Sequence, residues 1–109
     1  MEKTIIHNKL VRDKIPEIIE KSGKTAFCRT LSDSEYLEML DKKLSEELNE
    51  YLSDKSMEEI ADLLEVICAV VKARGSEMDE VEKIRLQKKA KRGGFENKIL
   101  LEKVIDPIP

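Results

Sequence analysis

Two short acidic motifs flank one turn of this chain, and their spacing is that of a metal site. Glu47 and Glu50 lie in SEELNEYL, and Glu59 and Asp62 lie in MEEIADLLE. Both stretches have helical periodicity, and LSDKS between them is short and polar enough to read as a turn. In an antiparallel helix pair joined by such a turn, residues whose numbers add to the same total lie at the same height. Glu47 with Asp62 and Glu50 with Glu59 meet that condition with one common total. Within each helix the two acids are spaced i,i+3, so they share a face and stack roughly 4–5 Å apart along the axis. Four carboxylates facing one another between two helices suit a hard divalent cation such as Mg²⁺, whose preferred ligands are oxygens. A site of that kind points to phosphate chemistry.

The elements that must position these acids are marked by their ends. Ser32-x-x-Glu35 and Ser56-x-x-Glu59 are capping-box patterns and predict helices over 35–52 and 56–74, the second stopping at Gly75. The first of these carries an apolar stripe of Leu37, Leu40, Leu44, Leu48 and Tyr51. A shorter helix is predicted from Pro16 to Gly23, and a further one from 77 to 91, stopped by Gly93-Gly94. Residues 1–15 read as irregular or briefly extended. TAFCRTL (25–31) alternates weakly and reads as a short strand, as does 98–105 in the tail. On the 56–74 helix the apolar positions cover about 220° of the circumference, from Val66 round to Ala61, leaving Glu58, Glu65, Ala69 and Lys72 wet. A chain of 109 residues cannot easily wrap a helix on so many sides, so a second subunit is expected to complete the bundle. The predicted fold is therefore all-α: a helical bundle built on an antiparallel hairpin, in one domain spanning 1–109.

An acid-rich helix pair can also be a solvated surface. Glu46, Glu58 and Glu65 fall on polar sectors and are assigned to solvent. Glu47, by contrast, projects roughly 20° from the edge of the apolar stripe, and Glu59 projects between Val66 and Val70 inside the apolar sector of its own helix. A carboxylate aimed into a packed interface is costly unless it is paired, protonated or metal-bound. The competing explanation for Glu59 is that it is simply the reciprocal partner of Ser56 in a capping box.

Composition narrows the classes. Of the chain's residues, 40% are hydrophobic, 39% charged and 4% aromatic, which fits a soluble helical protein with an aliphatic core. Net charge is −3 and aromatics are not interleaved with basic residues, which counts against a nucleic-acid binder. The longest apolar run, 66–71, is far too short to span a membrane, and the start has no signal-peptide pattern, so the expected location is cytoplasmic. Cys28 and Cys68 have no metal-binding spacing and read as reduced packing residues. Basic residues gather in two places. Lys9, Arg12 and Lys14 precede the first helix, and Arg85, Lys88 and Arg92 share a face of the last one. Cations late in a helix also complement its dipole, so a solvated face explains part of that run.

With these residues in view, the chain resembles the MazG-like superfamily of all-α nucleoside triphosphate pyrophosphatases, and within it a small predicted house-cleaning branch. The likeness rests on EExxE followed by ExxD, here Glu46-Glu47-Leu48-Asn49-Glu50 and Glu59-Ile60-Ala61-Asp62, and on the flanking NKLVRDKIPEII (8–19) and Lys88-x-x-x-Arg92-Gly93-Gly94-Phe95. It covers about residues 8–101. The connection between the two acidic motifs is shorter than in many members. The resemblance implies Mg²⁺ (with Mn²⁺ as a substitute) held by Glu47, Glu50, Glu59 and Asp62. It also implies hydrolysis of a nucleoside triphosphate between the α and β phosphates, giving monophosphate and pyrophosphate. For that chemistry Glu47 or Glu50 is the candidate catalytic base, Lys88 and Arg92 the candidate phosphate grip, and Arg12 and Lys14 further candidates. A homodimer or higher homo-oligomer is the expected assembly. The alternative is a non-catalytic helical dimerisation module whose acids are surface charge.

Overall fold

The computed structural model describes residues 1–108 and is all-helical, with four helices and no strand among the described residues. The helices are α1 (Ile15–Lys21), α2 (Asp33–Asp54), α3 (Met57–Ala73) and α4 (Met78–Arg92). No helix is long and apolar enough to cross a membrane among the described residues. The chain divides into two compact units, Met1–Met78 and Asp79–Pro109.

In the first unit, local chemistry fixes each helix end. Pro16 pre-sets the backbone of the first turn of α1, and a Glu17–Lys21 ion pair of 2.9 Å spans one turn of it. The helix closes in a Schellman motif: Lys24 N–H donates to the Ile19 carbonyl and Gly23 N–H to that of Glu20, with Gly23 at φ +90°. α3 closes the same way through Ser76, Gly75 and the carbonyls of Val71 and Lys72. Ser32 opens α2 with both halves of a capping box, and Ser56 opens α3 by accepting from Glu59 N–H.

α2 runs to Asp54, so only Lys55 and Ser56 link it to α3. Lys55 takes the left-handed conformation at φ 58°, and its N–H donates to the Tyr51 carbonyl at 2.7 Å. This link is shorter than the predicted turn, and it keeps Asp54 on the helix. α2 and α3 pack against each other, with Leu40 and Val66 as the buried apolar residues. Arg74, just past the end of α3, pairs with Asp41 in the first half of α2 at 3.3 Å. Leu48 and Leu52 on α2 and Met57, Ile60 and Leu64 on α3 remain exposed, the most open being Met57 at 72%.

The two predicted strand segments are not strands. Residues 25–31 run irregularly, held by Ala26 N–H donating to the Glu20 carboxylate and by the Arg29–Glu35 ion pair. Residues 98–105 are likewise irregular. Weak alternation marks a strand only where a second segment offers a ladder, and the described residues offer neither segment one. In the second unit, α4 ends at Gly93 (φ +82°), whose N–H donates to the Lys89 carbonyl.

Candidate metal centre

Glu47, Glu59 and Asp62 each bring a carboxylate oxygen within 4.8 Å of the other two. Glu50, Asp54 and Glu59 form a second group within the same limit. The two groups share Glu59, which makes it the centre of five acids drawn from α2 and α3. Both equal-height pairs read from the sequence, Glu47 with Asp62 and Glu50 with Glu59, are therefore brought together. Asp54 joins them, one turn after Glu50 in the i,i+4 relation of helix neighbours; a helix predicted to end at residue 52 leaves it in the turn, whereas α2 runs on to Asp54.

Glu59 is available to this cluster because its side chain is not spent on capping. Its backbone N–H donates to Ser56 Oγ at 3.3 Å. The reciprocal bond, from Ser56 N–H to the Glu59 carboxylate, is absent among the described residues, whereas Ser32 and Glu35 make both. Half-burial first, and then the charges of Asp54, Glu50, Asp62 and Glu47, raise the Glu59 carboxyl above its ordinary value. Four neighbouring negative charges are the environment that a divalent cation relieves.

Cations of the protein itself already lie on this cluster. Arg12 Nη2 is 2.8 Å from Asp62 Oδ1, across 50 residues of sequence. Lys43 Nζ is 3.5 Å from Glu47, whose side chain is only 13% exposed, and 3.4 Å from Glu46. Glu46 also accepts from Lys9 at 3.1 Å. Burial opposes ionisation of Glu46, but Lys9 and Lys43 together hold its carboxyl below the usual value. Glu46 is thus a paired residue, not the solvated one expected from its polar sector, because the irregular segment 8–14 lies against α2 and brings Lys9 to it. A cavity of about 150 Å³ is left between them, lined by residues including Leu10, Met39 and Lys43. Glu50 and Asp54 are exposed, so their side of the cluster is open.

The donor set fits a hard divalent cation. It is all oxygen, anionic and convergent, and it draws an arginine and a lysine as stand-in cations. Of the four basic candidates, Arg12 is held at this cluster. Lys14 stands at the N-cap of α1 and makes no ion pair among the described residues. Lys88 and Arg92 belong to the second unit, where both are exposed. Their neighbours are paired locally, Arg85 with Glu82 and Lys89 with Glu96.

No family model matches the chain, and no solved structure matches it. A stretch of 41 residues, 38% of the chain, is 61% identical to an uncharacterized protein of Mycolicibacterium smegmatis, and it spans 42% of that protein's length.

Proposed function

We propose that the chain is a Mg²⁺-dependent nucleoside triphosphate pyrophosphohydrolase of the MazG-like kind, acting in the cytoplasm on non-standard nucleotides. The observation that carries this proposal is the convergence of Glu47, Glu50, Asp54, Glu59 and Asp62 through the shared Glu59. Mg²⁺ (or Mn²⁺) on these oxygens supplies neutralisation of phosphate charge and a lowered pKa for bound water. The remaining work falls to the chain. Glu47 or Glu50 takes a proton from the attacking water. The water oxygen bonds to the α phosphorus as the anhydride bond to the β phosphate breaks, and pyrophosphate leaves with the electron pair. Arg12, which already pairs with Asp62 of the cluster, is the phosphate grip of this proposal.

In this proposal α2 and α3 form an antiparallel hairpin in a single-domain subunit, and a second copy covers Leu48, Leu52, Met57, Ile60 and Leu64 while walling the open side of the cluster. The exposure of these five large apolar side chains on two packed helices supports it, since a second copy would take them out of water. That same face supports the second reading, a dimerisation module without catalysis. Incubation with a panel of nucleoside triphosphates separates the two. A pyrophosphohydrolase gives monophosphate and pyrophosphate in equal amounts with Mg²⁺ and nothing with chelator. A dimerisation module gives neither product from any nucleotide.

A further inference from the structure

Arg12 carries two roles that compete. As a phosphate grip it offers its guanidinium donors to a substrate, yet Nη2 already lies 2.8 Å from Asp62 Oδ1. Asp62 in turn belongs to the trio with Glu47 and Glu59. A divalent cation on Asp62 and the Arg12 guanidinium repel each other across one carboxylate, and the N–H spent on Asp62 is not open to phosphate. The segment that carries Arg12 has its own anchors. Lys9 reaches Glu46, which is outside the trio, at 3.1 Å, and Leu10 is half-buried. Arg12 can therefore leave Asp62 while its segment stays on α2. The pair is also easily broken: the two side chains are 58% and 44% exposed, and exposed ion pairs are weak. Lys43 differs, because it has Glu46 as a second acceptor and keeps a partner if Glu47 is taken.

We infer that Arg12 is the built-in counter-ion of the Glu47–Glu59–Asp62 trio, that a divalent cation displaces it, and that the freed guanidinium then binds a phosphate oxygen of the substrate. The inference rests on the metal-centre proposal above. It makes cation and phosphate binding help each other through one side chain, since a cation on Asp62 weakens its hold on Arg12 and a phosphate on Arg12 weakens its hold on Asp62. Arg12 touches the substrate directly here, through hydrogen bonds and charge alone.

The experiment is a Mg²⁺ titration of the full chain, followed by calorimetry and by the ¹⁵N resonances of the Arg12 guanidinium, identified by their loss in Arg12→Lys. The expected result is that these resonances move with the midpoint of Mg²⁺ binding, toward their position in metal-free Asp62→Asn. Arg12→Gln should bind Mg²⁺ about two- to fivefold more tightly, the worth of an exposed ion pair. Lys9→Gln, which cuts the other tether, should leave Mg²⁺ affinity unchanged. Inorganic pyrophosphate, added with saturating Mg²⁺, should bind Arg12→Gln roughly tenfold more weakly than wild type, the scale of a lost charge-assisted contact. If wild type binds Mg²⁺ but the Arg12 resonances stay in place, or if Arg12→Gln binds Mg²⁺ no more tightly, the inference falls and the metal centre stands. If wild type binds no Mg²⁺, both fall. Should Arg12→Gln fail to fold, the resonance shift in wild type decides alone.

Discussion

Glu59 is the residue on which the site turns. Four acids surround it, and its carboxyl is raised by half-burial and by their charge. Glu59→Gln removes the central negative charge while keeping size and shape, so the metal-free protein should melt no lower than wild type, and higher at pH 7 than at pH 4 relative to it. The sign follows from the shift. A raised carboxyl is a penalty above its folded pKa and is relieved on protonation below the unfolded one, so deleting it helps most where it is ionised. Thermal melts with chelator at both pH values check this, and a lower melting point at pH 7 would show that Glu59 is a stabilising partner. Glu35 has the opposite sign. Hydrogen bonding from Arg29 first, and then from Ser32, lowers its carboxyl to about 2. Its contribution is present above the ordinary carboxylate pKa and is lost as pH falls toward 2. Arg29→Gln should therefore shift the Glu35 titration upward, which carboxyl-carbon NMR reads directly, and an unmoved titration would assign the shift to Ser32 alone. The equal-height acids were legible in the sequence because helical periodicity and a short turn fix them. The Arg12–Asp62 and Lys9–Glu46 contacts were not, since an irregular segment has no period from which its path can be read.

Among the elements, the helices were legible because their ends carry side-chain or glycine signals: Ser32 and Ser56 at the starts, Gly23, Gly75 and Gly93 at the stops. The end of α2 carries no such signal, since Lys55 rather than glycine takes the left-handed turn, and so Asp54 does not announce itself as helical. The segments 25–31 and 98–105 differ from their strand pattern for another reason, because strand pattern is local but strand pairing is not. The α2–α3 packing rests on few buried residues, so a single truncation should be costly. Leu40 is 2% exposed, and Leu40→Ala should destabilise by about 2–5 kcal/mol. Ser56→Ala should cost less, about 0.5–2 kcal/mol, because it loses only the N-terminal cap of α3. Denaturant melts followed by circular dichroism rank the two, and a larger loss at Ser56 would mean that capping outweighs packing here.

For the whole molecule, the exposed face of α2 and α3 is the feature that one copy leaves unexplained. If a second copy covers it, light scattering at low micromolar concentration gives at least twice 12.5 kDa, and Ile60→Glu with Leu64→Glu returns the chain to a monomer. A wild-type monomer under those conditions would remove the proposed dimer, and with it the wall on the open side of the cluster. The sequence announced this face through the wide apolar girth of the 56–74 helix, but girth does not say which partner covers it. Everything proposed about phosphate chemistry depends on whether the Glu59-centred acids hold a cation. Calorimetric titration of Mg²⁺ into wild type, Glu59→Gln and the solvent-facing control Glu65→Gln tests that most directly. The metal-centre proposal predicts saturable binding to wild type and Glu65→Gln, and its loss in Glu59→Gln. Absence of saturable binding to wild type, or undiminished binding to Glu59→Gln, would contradict it.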